Sequence, residues 1–443
     1  MRREATAILE TMISMNMSLS RVICVRGFFE VLFVSFLFIL SSWYWAVDEH
    51  VVFIGLFAGA ALLGIDRWTG FRQASISSLV SAGLFGVFLG WLLLSTLWSG
   101  VFHFSFSYAL LALLVGITGA FVAYAFAITR LLLGLALGTL FIVVHAALVD
   151  GNGLFGIFTD PSLQKESHAL EGLFTNVSSI TFLFGIGIVA TLSASFQSRF
   201  SKLAAFLLAV FFIALLIDHD VLTGLFAVIG AGAVSAMVAH VRSSNFRGRS
   251  FLRWGYSILV LLAATLFWFL REPILRPIGE APDLAGRVIL WEWYFEAFLW
   301  RPIVGAGWGN TVGWPPLQRG RLAPVKDFFP AHNGFIDVGL MLGGVGALLM
   351  IATLVALFLS GARLATNTRY STAYVFIPAL VTYLTLNDLM ATSLPRFIGL
   401  FLVGAMVGMV LKKPEPSALG HDVKLDSPNG TGRWSSESSA VKV

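Results

Sequence analysis

The sequence predicts an all-α, polytopic integral membrane protein with about 12 transmembrane helices and one large external loop that contains an interfacial helix. Three observations predict it. Only 12% of the 443 residues are charged and 57% are hydrophobic, whereas soluble domains run roughly 25% charged and 45–50% apolar. Apolar runs long enough to cross a hydrocarbon core of about 30 Å recur along the chain. Between them, lysine and arginine gather in every second connection. So little charge excludes a soluble enzyme, and the composition excludes a disordered or collagen-like chain. The net charge of +5 is small and scattered, which argues against a nucleic-acid partner. One cysteine, Cys24, leaves no intramolecular disulfide, CxxC redox motif or cysteine-rich metal site.

Residues 1–27 hold four arginines before any long apolar run. That is too long and too interrupted for a cleaved signal peptide, so they read as a cytoplasmic segment and the first span as a retained anchor. Spans one to nine fill 28–270, near 28–47, 50–65, 79–98, 106–128, 131–149, 173–194, 203–217, 221–239 and 254–270. Spans ten to twelve fill 334–411, near 335–360, 373–387 and 395–411. The second, seventh and eleventh are short, so the expected number runs from ten to twelve. Arg2, Arg3, Arg21 and Arg26 precede the first span. Arg67 and Arg72, Arg130, Arg199 and Lys202, the arginines from Arg242 to Arg253, Arg363 and Arg369, and Lys412 and Lys413 follow the even-numbered ones. The other connections are acidic or uncharged, with Asp48, Glu49, Asp218, Asp220 and Asp388 among them. Excess basic charge marks cytoplasmic loops, which places both termini in the cytoplasm. The tail, 412–443, is rich in Ser, Pro and Gly and reads as disordered. No repeat with a period of 20–50 residues is visible.

One external segment, 271–333, breaks the pattern with Arg271, Arg276, Arg287, Arg301, Arg319, Arg321 and Lys326. Long loops translocate largely regardless of charge, so orientation is not overturned. The stretch 284–300 predicts a helix, capped by Asp283 and ended before Pro302. Its aromatic residues, Trp291, Trp293, Tyr294, Phe295, Phe298 and Trp300, suit a membrane boundary, with Glu292 and Glu296 as a polar edge. Arg287 falls in the first turn, where unpaired N–H groups and a guanidinium make an anion site. A lipid headgroup or a substrate pyrophosphate would satisfy it. RPIVGAGWGN (301–310) carries Gly305, Gly307 and Gly309 at alternate positions. Without a GK[ST] ending it is no phosphate loop, and it reads as a tight turn in which backbone approaches a neighbour closely. His332 and Asn333 stand just before the tenth span, where a histidine is either interfacial or a general base or hydrogen-bond donor.

These motifs together resemble the O-antigen ligase and Wzy-type polymerase superfamily, including the ExoQ type of exopolysaccharide polymerase. The match is GR-x-x-x-W (286–291), RP-x-x-G-x-G-x-G-N (301–310) and HNG-x-x-D-x-x-x-x-x-G-x-x-G (332–346). WLLLSTLWSG (91–100) resembles the family's Trp-Ser signature, and LEGLFTNVSSI (170–180) its Gly-Phe-x-x-Asn segment. The resemblance implies glycosyl transfer on the periplasmic face of a bacterial inner membrane, without metal or other cofactor. The donor would be an oligosaccharide linked through pyrophosphate to undecaprenol. Arg287 would bind the pyrophosphate, and His332 would orient or deprotonate the acceptor hydroxyl. Trp291, Gly305, Gly307, Asn310 and Asn333 would line the substrate. Membrane lipid and other polysaccharide-export proteins are the further partners it implies, with no nucleic acid.

The sequence departs from the family in three places. LLIDHDVLTGLF (215–226) stands where the family carries a basic residue between middle spans. Arg276 or Arg271 would replace that cation, and Asp218 and Asp220 either accept from an acceptor hydroxyl or form a solvated turn. The Trp-Ser signature is not followed by Pro and a basic residue. The late hairpin carries Asn387 and Asp388. A polymerase is the leading reading, and a ligase acting on a lipid A core performs the same chemistry. A lipid-linked oligosaccharide flippase is the rival class, although transporters usually show internal repeats. A non-catalytic scaffold is the fourth.

Overall fold

The computed structural model describes residues 26–41, 59, 75–149, 177–194, 199–218, 222–243, 287–309, 331–367, 370–389, 396–412 and 414. In chain order the helices are α1 (26–41), α2 (Ile76–Leu94), α3 (Phe102–Ala125), α4 (Ile128–Val149), α5 (Val177–Ser193) and α6 (Arg199–Asp218). They continue with α7 (Leu222–Ser243), α8 (Arg287–Phe298), α9 (Gly334–Ala365), α10 (Phe376–Asp388) and α11 (Phe397–Leu411). A 3-10 turn, Ser95–Trp98, extends α2, and another, Thr372–Val375, leads into α10. No strand occurs among the described residues.

Among the described residues, five helical stretches are long and apolar enough to cross a membrane: Ile76–Trp98, Phe102–Ala125, Ile128–His145, Thr223–Ser243 and Gly334–Ala365. Phe182–Ser193, Lys202–Leu216 and Phe397–Leu411 are shorter apolar helices. The chain is a helical, multi-pass membrane protein. The predicted spans 50–65 (apart from Gly59) and 254–270 lie outside the described residues, as do 271–286, 310–330 and nearly all of the tail.

Lipid is as apolar as leucine, so helices in a membrane associate by close backbone approach and interhelical hydrogen bonds. The pairing of α3 with α11 shows how. Gly404 and Gly408 on α11 form a GxxxG face against Gly116, Gly119 and Ala120 of α3. A Cβ on Gly404 would run into the Gly116 carbonyl oxygen, and one on Gly119 into that of Phe401. The α5–α10 contact uses a different lock. Tyr383 fills the notch over Gly185, stacks on Phe182 and donates its hydroxyl to the Phe182 carbonyl at 2.9 Å. α2 packs on α9, α7 on α10, and α5 on both α4 and α6.

Chain direction sorts the charges between the two ends of this bundle. Where α3 and α9 finish, cations meet backbone carbonyls left without intrahelical donors. Lys412 donates to Phe126 at 2.7 Å and Arg242 to Ala365 at 2.9 Å, with a further contact to Tyr370. Arg130 at the same end pairs with Glu30, which also holds Arg26 at 3.0 Å. The opposite end gathers α8, the starts of α9 and α11, and the end of α10.

Candidate functional site

The site is built on a broken helix. Inside α9 the backbone leaves helical geometry at Gly343, with φ 68° and ψ −173°. A break strands carbonyls before it and amides after it, and each buried orphan must find a partner. The glycine loop supplies them. The amides of Ala306 and Gly307 donate to Leu340 O at 2.9 Å and Met341 O at 2.8 Å, and the Trp91 indole donates to Leu342 O at 2.9 Å. In return the amides of Gly344 and Val345 donate to Pro302 O at 2.7 Å and Ile303 O at 3.3 Å. On its other side the loop is held by the turn after α2. Trp98 donates its indole N–H to Val304 O at 3.2 Å, and Ser95 Oγ accepts from the Trp308 amide at 3.0 Å.

Such a fit needs glycine. Gly305, Gly307 and Gly309 have φ of 69°, 100° and 73°, a region that side chains rarely adopt. A Cβ at Gly307 would lie 2.7 Å from that of Ser99, and one at Gly343 would collide with Ile303 O. The segments 91–100, 301–309 and 332–346 therefore meet in one splice between loop and helix.

Above the splice, the start of α9 carries His332. Its φ is 52°, left-handed for a non-glycine residue. Such a conformation costs of order 1–3 kcal/mol and persists where surroundings over-determine it. Here they do. The Ala331 amide donates to Asp337 Oδ1 at 3.0 Å, and the Ala331 carbonyl accepts from the Trp291 indole of α8 at 2.7 Å. On the other side Asn333 caps α9, its Oδ1 accepting from Phe335 and Ile336 at 3.1 Å. Its Nδ2 donates to Leu389 O at 3.0 Å. Gly334 lies so close to the Asp388 carboxylate that no side chain fits. Tyr294 and Ala297 of α8 pack against Ala331, Ala306 and Leu340, fixing the interfacial helix to both loop and broken helix. Burial, reinforced by Asp337, pushes the Tyr294 hydroxyl above its ordinary range and keeps it protonated.

The field at His332 is positive. Burial, then Arg287, then Arg396 hold its imidazole below the usual histidine value. Its neutral form, a base and hydrogen-bond acceptor, is thus favoured. Arg396 precedes α11 and faces Tyr108, Asp337 and Asp388, which favour its charged form against burial. Asp337 and Asp388 are buried, at 4% and 0% exposure. His332 thus lies in the field of two guanidinium groups, one of which, Arg396, faces two buried carboxylates.

Of the residues expected to carry function, Arg287 and His332 come together. Trp291, Asn333, Gly305 and Gly307 stand beside them with their polar groups engaged in the scaffold: indole on Ala331, cap on α9, loop amides on Arg301 and Met341. Arg271, Arg276, Asn310 and Asp220 lie outside the described residues. Asp218 closes α6, and its side chain is likewise outside them. Arg396 was not anticipated. Its signal is the stretch LPRF (394–397), a basic residue at the start of a span whose other end carries Lys412 and Lys413. Asp337 lay within the quoted motif without a role attached. Among the described residues no group of three or more His, Cys, Asp or Glu side chains is placed to hold a metal ion. The sequence matches no protein-family model and no curated protein.

Proposed function

We propose that the chain is a glycosyltransferase of the periplasmic face of a bacterial inner membrane, moving an oligosaccharide from undecaprenyl pyrophosphate onto a growing glycan. One observation carries the reading. Three of the segments that resemble the O-antigen ligase and polymerase superfamily, 91–100, 301–309 and 332–346, converge on one splice, and beside it a strained, neutral-favoured histidine sits in a field set by Arg287 and Arg396. The topology that goes with it has about twelve spans, both termini in the cytoplasm, and 271–333 outside.

In this reading an acceptor hydroxyl attacks the anomeric carbon of the donor. A new C–O glycosidic bond forms as the bond from that carbon to the pyrophosphate oxygen breaks. The bonding pair leaves with undecaprenyl pyrophosphate, and the hydroxyl proton passes to the neutral His332 imidazole. Leaving-group charge grows as the bond stretches, and a guanidinium fixed nearby stabilises it without having to reorganise. The left-handed backbone at 332 aims the imidazole, and the hydrogen bonds around Ala331 and Asn333 keep it aimed.

Reconstitution with an undecaprenyl-pyrophosphate oligosaccharide tests this. Wild type extends the glycan. His332→Ala loses roughly 10²–10⁴ of the rate, as expected for a removed general base, and Arg287→Ala loses donor use. Equal product from both variants would remove these residues from the chemistry. Transfer only to a lipid A core moves the reading to a ligase. Passage of the donor across the bilayer without chain growth replaces it with a transporter.

A further inference from the structure

We propose that Arg396 is a second phosphate-binding residue of this site, gripping the donor's pyrophosphate across His332 from Arg287. This rests on the reading above. Arg287 and Arg396 come from opposite ends of the chain segment that builds the site: one opens α8, the other immediately precedes α11. Both act on His332, so the imidazole lies in the field of two guanidinium groups.

The surroundings of Arg396 are a seat for a guanidinium. Asp337 on α9 and Asp388 at the end of α10 face it, and both are buried. Asp337 is itself fixed by the Ala331 amide, and Asp388 is pressed against Gly334. The next residue, Phe397, packs on Tyr108 of α3 with ring centroids 4.8 Å apart, which anchors the start of α11. A half-buried guanidinium set against two buried carboxylates is costly to desolvate, and a protein gains little stability from it compared with an apolar residue. Five N–H donors in a planar fork let one guanidinium keep a carboxylate seat and grip a further oxyanion.

The ligand chemistry calls for such a residue. A pyrophosphate diester carries one negative charge on each phosphorus, and the departing monoester gains more. A single guanidinium at Arg287 offsets one of them.

Binding separates the possibilities without relying on turnover. The probe is farnesyl pyrophosphate, with farnesol as its uncharged control, titrated into purified full-length protein in detergent by calorimetry. Arg396→Gln should weaken the pyrophosphate at least 10-fold and leave farnesol unchanged, and Arg396→Lys should recover part of the loss. A merely structural role would weaken both ligands together or neither. If Arg287→Gln weakens the pyrophosphate and Arg396→Gln does not, the assignment of Arg396 is wrong and the proposed function stands. If neither variant affects pyrophosphate binding, both fail. Inorganic pyrophosphate as a second titrant distinguishes a site for the headgroup alone from one that also takes the lipid.

Discussion

His332 combines two features that are each uncommon, a left-handed backbone and an imidazole pushed toward neutrality. The charged groups acting on it are Arg287 of α8 and Arg396 before α11, and Arg396 in turn faces Asp337 of α9 and Asp388 of α10. Tyr294 stays protonated and adds no charge. Burial and the two cations all disfavour the imidazolium, so the folded protein binds the proton less well than the unfolded chain. As pH falls below the ordinary histidine value of about 6.5, the unfolded chain takes up that proton first. Folded stability is therefore lost between there and the depressed value, and is fully present above it. The rate follows the same sign: activity should hold into mildly acid solution and fail only below the usual histidine range. Arg287→Gln or Arg396→Gln should move the imidazole titration upward, because each removes a repelling charge. NMR of histidine-labelled protein in micelles reads this directly. An imidazole that titrates at its ordinary value in wild type, or does not move in either variant, contradicts the electrostatic account.

At the scale of elements, the splice between the glycine loop and broken α9 determines where His332 ends up. Every backbone group freed at Gly343 that the loop meets is answered, and the loop's own turns are affordable only to glycine. Gly343→Ala should therefore cost about 3 kcal/mol or more, from a forced left-handed residue and a collision with Ile303 O. Gly86→Ala in α2 is the matched control. It meets nothing within 4 Å and gains helix propensity, so it should be neutral or mildly stabilising. Thermal unfolding of the two variants in one detergent makes the comparison, and equal midpoints would mean that the splice carries no stability. The alternate glycines at 305, 307 and 309 announced a close backbone approach. What they approach was not legible, because Gly343 and Gly344 sit inside the apolar run 335–360, and glycine is common in membrane helices that do not break. The break is a tertiary event, made where Ala306 and Gly307 replace the helix's own hydrogen bonds. Arg396 was hidden for a similar reason, since one arginine at a span end looks like any snorkelling side chain until α9 and α10 bring Asp337 and Asp388 to it. Arg287 and His332 were legible because their oddity is local: a cation in the first turn of a helix, and a histidine at the mouth of an apolar run.

For the whole molecule, apolarity made the membrane readable, and the described helices fall on predicted segments because length and hydropathy need no tertiary information. Helix pairing was not readable, since α3 and α11 are nearly 300 residues apart and meet through glycines that a hydropathy scan treats as gaps. Between these lies orientation, which charge predicts and packing makes testable. Arg130, Arg242 and Lys412 hold carbonyls or Glu30 at one end, while Arg287, His332 and Arg396 form the cluster at the other. If the first end is cytoplasmic, a membrane-impermeant maleimide should distinguish them in a Cys24→Ser background. Arg301 beside the cluster and Arg363 near the end of α9 are both exposed. Arg301→Cys should label in intact cells with the outer membrane permeabilised, and Arg363→Cys only after the inner membrane is opened. The reverse pattern would turn the molecule over and put His332 in the cytoplasm, on the wrong side for a periplasmic donor. The proposed chemistry and the proposed orientation therefore stand or fall on one labelling experiment, in which the splice, the histidine and both arginines move as one end of a single bundle.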